Sequence, residues 1–153
     1  MTITETPMII DEETLTEVAA SIWEIMFELP IEPEPTASVA FGPSASISIC
    51  GAWTATLIIT MDDGLAADTA AALLMMDADE LETPDLHDAL GEIANIAGGN
   101  LKGLFDHDTD LKLSLPVVST SELNAKSSVD SVCARFTVSG QSMVWELHSV
   151  AAD

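Results

Sequence analysis

Leu15, Val18, Ala19, Ile22, Met26 and Leu29 recur at the spacing that places side chains on one stripe of a helix, with Glu13, Glu17, Glu24 and Glu28 opposite. This predicts a first helix from about Thr14 to Leu29, opened by a capping box in which Glu17 reaches back to Thr14 and closed by Pro30, Pro33 and Pro35. Trp23 stands at the edge of the stripe, where packing is favoured over a partner contact. Strict alternation then takes over in Ala45-Ser46-Ile47-Ser48-Ile49 and resumes after Gly51 through Trp53, Ala55, Leu57, Ile59 and Met61, the pattern of a hairpin with one buried face. Asp62-Asp63-Gly64 ends that strand and opens a second helix, Leu65 to Met76, with Leu65, Thr69, Ala72, Leu73 and Met76 inward. The acidic run Asp77 to Glu82 reads as a solvated loop. Thr83-Pro84 starts a third helix, with Thr83 as its cap, that runs to about Phe105. Three strands follow: Leu111 to Leu115, stopped by Pro116; one carrying Val132, Ala134, Phe136 and Val138; and, after the turn Ser139 to Ser142, one carrying Met143, Trp145 and Leu147.

Strands joined by short turns pair antiparallel, and helices with a single apolar stripe need one sheet face to cover. The order therefore predicts an α+β domain, a mostly antiparallel sheet with long helices on one face. Its halves are loosely duplicated, each a long helix followed by strands, and Ser21 to Phe27 lines up with Ala89 to Asn95.

Composition narrows the function. The chain has 153 residues, suited to one domain, and is 48% hydrophobic, enough for a packed core. Its 26 Asp and Glu face only Lys102, Lys112, Lys126 and Arg135, a formal charge of −22. Such a surface repels phosphate backbones and anionic lipids, which excludes nucleic acid and membrane surfaces as expected partners. Solubility or a salty habitat also accounts for the acidity. Cys50 and Cys133 have no metal-binding or disulfide spacing and are expected as buried free thiols. MTITETPMII carries no basic segment and no long apolar core, so a cytoplasmic location is expected.

The third helix holds the candidate chemistry. Leu86, Leu90, Ile93, Ala97, Leu101 and Leu104 cluster on one side, and Asp88, Glu92, Asn95 and Gly99 on the other. Glu92 and Asn95, three apart, are surface neighbours. Gly91, Gly98 and Gly99 lie around them, although each costs a helix about 1 kcal/mol relative to Ala. Two readings stand side by side. The glycines form a flat track for another backbone, into which a carboxylate and a carboxamide project; or the face is merely solvated and Gly98 and Gly99 pack on a neighbour.

Gly91-Glu92-Ile93-Ala94-Asn95-Ile96-Ala97-Gly98-Gly99-Asn100 resembles the E-x-x-N signature of the CheC/CheX/FliY family of chemotaxis phosphatases. Gly51-Ala52-Trp53, Met61 through Met76, and Leu115-Pro116-Val117-Val118 fall where the family pattern puts them. The resemblance runs from about residue 8 to 150 and leaves 1–7 as a short N-terminal extension. The first helix carries Glu24, but Phe27 stands at the position of the Asn, so one site is expected, as in the CheX type.

The resemblance implies a response-regulator aspartyl-phosphate phosphatase acting on a phosphorylated CheY-type regulator. Asn95 would orient the attacking water and Glu92 would pair with the partner's active-site Lys. Gly91, Gly98, Gly99 and Asp88 would contact the partner, and Mg²⁺ would come from the partner with no cofactor of the chain's own. It also implies a homodimer through paired strand edges. The alternative is a non-catalytic docking or adaptor module of the same fold in chemotaxis or flagellar switch signalling. A further reading is a metal enzyme built on Asp106, Asp108 and Asp110. That stretch lacks the Gly and Glu of a calcium loop, since Leu111 and Val117 stand there, and it reads better as an acidic turn ending the helix. His87, His107 and His148 share no ligand spacing, so surface or capping roles are expected; Ser119, Thr120 and Ser121 lack the context of a nucleophile.

Overall fold

Alternating residues need a surface to cover one face, and three helices supply it. The computed structural model describes residues 10–51, 54–104, 110–120 and 130–150. Along the chain run α1 (Glu12–Phe27), β1 (Glu32–Pro33), β2 (Ser44–Cys50), β3 (Thr54–Met61), α2 (Asp63–Leu74), α3 (Thr83–Gly103), β4 (Lys112–Leu113), β5 (Val117–Ser119), β6 (Asp130–Val138) and β7 (Gln141–Val150). A short 3-10 turn, Ala78–Glu80, lies exposed in the acidic stretch before α3. Seven strands form one antiparallel sheet in the order β1-β6-β7-β3-β2-β4, with β5 also paired to β2.

The alternating apolar set is buried as the pattern requires. Ile47 and Ile49 on β2, Leu57 and Ile59 on β3, Phe136 on β6 and Trp145 on β7 are all core residues. The opposite face carries hydroxyl pairs between directly opposed residues, Ser44 with Thr60 at 2.8 Å and Ser48 with Thr56 at 2.9 Å. Ser139 and Gly140, with φ of 50° and 80°, make the two-residue turn between β6 and β7.

The duplication of the halves is visible in the sheet. Exchanging α1-β1-β2-β3 with α3-β4/β5-β6-β7 maps the strand order onto itself, since β1 then takes the place of β4 and β5, β2 that of β6 and β3 that of β7. Each long helix packs on a strand of the other half, α1 on β6 and α3 on β2.

Several boundaries differ from the sequence reading, each for a local reason. Asp11, not Thr14, caps α1: its Oδ1 accepts from the Thr14 backbone N–H and the Thr14 hydroxyl, both at 2.8 Å. Glu28 ends the helix in the left-handed conformation, before the prolines are reached, and Leu29 is exposed. Trp23 is fully buried rather than marginal. In α2, Ala66 and Ala70 face the core in place of Ala72, which is exposed; Asp62 spends its carboxylate on the Ser142 N–H of β7 at 2.7 Å rather than on a helix cap. Glu82 caps α3 in place of Thr83, and its N–H is held by the Asp85 carboxylate at 3.0 Å. Leu104 is exposed beyond the helix end. The strand expected from Leu111 to Leu115 is shortened to Lys112–Leu113, and the edge strand β1 was not anticipated within its prolines. Cys50 is exposed and Cys133 half-buried, the latter with its thiol pushed up chiefly by burial. Trp53 and Phe105 lie outside the described residues.

The packing of α3 decides which way its polar side faces. A Cβ at Gly98 would stand 2.9 Å from Ile47 Cγ2 and 3.3 Å from Leu113 Cδ2, so this glycine is where the helix beds onto β2 and β4. A Cβ at Gly99 would meet nothing within 4 Å. Gly98→Val should therefore lower stability in urea by about 1–3 kcal/mol through overpacking. Gly99→Ala should raise it by up to about 1 kcal/mol through helix propensity. The α1 cap gives a pH-resolved expectation. The Thr14 amide and hydroxyl hold the Asp11 carboxyl below its ordinary value, so the cap's contribution is present above that ordinary value and lost as pH falls through the folded one. The melting temperature of Asp11→Ala should fall below wild type at neutral pH, and the gap should close in strong acid.

Candidate functional site

Bedding at Gly98 turns Asp88, Glu92, Asn95 and Gly99 outward, and all four are exposed. Leu90, Ile93, Ala97 and Leu101 are buried beneath them, as the helical spacing predicts. Among the described residues neither the Glu92 nor the Asn95 side chain has a hydrogen-bond or ion-pair partner, whereas Asn100, a turn further on, gives its amide to the Ile96 carbonyl at 2.8 Å. A carboxylate and a carboxamide thus stand side by side on a helix with their hydrogen-bonding capacity unspent.

The glycines divide. Gly91 is buried, and a Cβ there would meet Pro116 Cγ at 3.5 Å and Val118 Cγ2 at 3.7 Å, ordinary contact distances. Gly98 is also buried, and its missing side chain makes room for the sheet rather than for an outer track. Only Gly99 opens directly to solvent beside the pair.

Beside this face lies a groove of about 360 Å³ walled by His87, Asp88, Gly91, Glu92 and Asn95 of α3 and by Pro116 and Val118 across from it. Sequence reasoning missed the second wall, because nothing in the local pattern says that Pro116 returns to Gly91. It also expected a surface or capping role for His87, whereas the side chain is half-buried and its Nε2 is buried without a hydrogen-bond partner. His148 sits on β7 with Nε2 3.4 Å from Glu146 Oε1, on the sheet and away from this groove. Asp106, His107, Asp108 and Ser121 lie outside the described residues. Among the described residues no group of three or more His, Cys, Asp or Glu could hold a metal ion, and no helix is long and apolar enough to cross a membrane.

The duplicated half shows what becomes of the same positions without the Asn. Glu24 on α1 is exposed like Glu92, but Phe27 is half-buried, packs against the core and sets its ring 5.4 Å from that of Trp23. The position that carries a free carboxamide on α3 is a packing position on α1.

The fold has close counterparts among solved structures. The chemotaxis protein CheX from Vibrio vulnificus matches with a TM-score of 0.74 at 21% identity, over 88% of this chain and 95% of that one. The CheX of a CheX-CheY-BeF3-Mg²⁺ complex from Borrelia burgdorferi matches with a TM-score of 0.75 at 18% identity, over 91% and 97% of the two chains. FliY from Thermotoga maritima matches more loosely, with a TM-score of 0.54 at 16% identity over 96% and 92%. No curated protein matches the chain in sequence. The family model described as chemotaxis phosphatase CheX matches residues 43–138, more than half the chain and the whole of α3 with both walls of the groove, and the chain belongs to that family.

Proposed function

We propose that the protein hydrolyses the phosphoaspartate of a CheY-type response regulator, with Asn95 orienting the attacking water and Glu92 pairing with the regulator's active-site Lys. The observation that carries this reading is the exposed, unpartnered Glu92–Asn95 pair on the outer face of α3. The CheX of Borrelia burgdorferi, which shares the fold, forms a complex with CheY, BeF3 and Mg²⁺, and this supports the class of partner.

An acyl phosphate has a good leaving group, so hydrolysis needs little covalent help. It needs a water held in line with phosphorus, and Mg²⁺ and Lys to take up charge on the phosphoryl oxygens. The regulator supplies the metal and the Lys. A carboxamide suits the remaining task because its oxygen accepts a hydrogen bond from the water and its NH2 donates elsewhere, with no charge acquired. Glu92, one turn earlier, fixes the approach: once docking removes water, its carboxylate and an ammonium form a pair whose disruption costs about 2–5 kcal/mol. Gly99 lets the partner's backbone come close to the helix, and Gly91 sets the groove floor under Pro116.

The test is the decay of a phosphorylated CheY-type regulator from the same organism, with and without the protein. Asn95→Ala should reduce the acceleration by about a hundredfold or more while leaving affinity for the regulator bearing a phosphoryl analogue within a few-fold of wild type. Glu92→Lys should weaken that affinity instead, through like-charge repulsion. Equal loss of binding and turnover in Asn95→Ala would remove the water-orienting role. No acceleration by the wild-type protein would leave a docking module.

A further inference from the structure

A larger cavity lies on the other side of the sheet. Ala134, Phe136, Trp145 and Leu147 point to the helices, so Arg135 of β6 and Val144 and Glu146 of β7 point away from them. These three belong to the floor of a cavity of about 610 Å³, and the loop from Ser38 to Gly42 forms its wall, with Asp63 at the start of α2. Three hydrogen bonds fix the loop relative to the floor. Arg135 Nη1 donates to the Ala37 carbonyl at 2.8 Å, the Asp63 N–H to the Phe41 carbonyl at 3.2 Å and the Met61 N–H to the Pro43 carbonyl at 3.2 Å. A Cβ at Gly42 would collide with the Met61 carbonyl, so the loop passes there only as glycine. Phe41, on this pinned loop, is 82% exposed, an apolar surface that the chain itself leaves uncovered.

The charges in this cavity do not neutralise one another. Arg135 is the single arginine of a chain with 26 acidic residues, yet among the described residues its side chain makes no ion pair and bonds only to the Ala37 carbonyl. Glu146 stands diagonally across from it, since Val144 is the direct partner of Arg135, at about 7–8 Å between Cα atoms. Its carboxylate lies instead 3.4 Å from His148 Nε2. A preformed cavity that holds both signs apart suits a ligand that carries both. A simple anion would meet two carboxylates and the field of a −22 chain, and a simple cation would meet the guanidinium. A zwitterion is neutral overall and answers each group. We infer that this cavity binds a free α-amino acid with an apolar side chain. Its carboxylate takes the fork of Arg135, its ammonium takes Glu146, and its side chain covers Val39, Phe41 and Val144. The site is on the sheet face opposite to α3, so its occupancy is read without any reference to dephosphorylation.

Calorimetric titration of the full chain with L-leucine and L-phenylalanine tests this. Two analogues run beside them: 4-methylpentanoate, which lacks the ammonium, and 3-methylbutylamine, which lacks the carboxylate. Both amino acids should bind and should raise the melting temperature progressively with concentration. Each analogue should bind about tenfold more weakly than L-leucine, or less. Glu146→Gln should weaken L-leucine binding about tenfold. Arg135→Lys keeps the charge and a donor for Ala37 but loses the fork, and should weaken it by a similar factor. Val144→Phe fills the floor while leaving the Arg135–Ala37 bond in place, and should abolish binding; urea unfolding of each ligand-free variant checks that it folds. If Val144→Phe does not fold, Glu146→Gln decides, since its side chain lies on the sheet surface. Absence of binding by both amino acids at millimolar concentration overturns the site. Equal binding of 4-methylpentanoate overturns the zwitterion, and binding undiminished in Val144→Phe or Glu146→Gln puts the ligand elsewhere and overturns the site as well.

Discussion

Ile47 and Leu113 press against α3 where Gly98 has no side chain, and this contact sets the rotation of the helix about its own axis. At 100° per residue the phase of every other α3 side chain follows from it. Leu90, Ile93, Ala97 and Leu101 are carried into the core, and Glu92 and Asn95 are carried out of it. A bulkier residue at Gly98 would lift or roll the helix and move the pair with respect to Pro116 and Val118. The glycine therefore affects the exposed face while lying beneath it.

The duplicated architecture presents the same helix twice with different outcomes. Both α1 and α3 cross onto the strand layer of the opposite half, and both carry an outward Glu. In α1 the position three residues later is Phe27, whose ring packs with Trp23, so apolar burial holds that helix end where α3 presents an amide. The asymmetry matches the groove: α3 meets Pro116 and Val118, contributed by the chain soon after the helix, and the groove forms between them.

Most of the fold was legible in the sequence because its elements obey strong periods. Alternation from Ala45 to Met61 and from Val132 to Leu147 marks strands with one buried face, and the α3 stripe separates core from solvent correctly as far as Leu101. What escaped was decided by competition between neighbouring groups or by distance along the chain. Asp11 outcompetes Thr14 as a cap, and Asp62 bonds to β7 rather than to its own helix. Pro33 sits at a sheet edge, where its missing N–H costs nothing. The outward set Asp88, Glu92, Asn95 and Gly99 was readable from spacing alone. The second groove wall and the half-burial of His87 were not, since they depend on where residues 116–118 return against α3.

Glu92 and Asn95 hold nothing else in place. Because their side chains are exposed and make no bonds within the chain, no tertiary contact of the folded state depends on their identity. Chemistry and architecture are thus under separate constraint in this domain. Exchange of either residue for another helix former would break no contact, keeping the sheet, the bedded helix and the groove while removing the chemistry proposed for the pair. Phe27 in the first half shows the fold holding with an apolar, half-buried ring at the corresponding position.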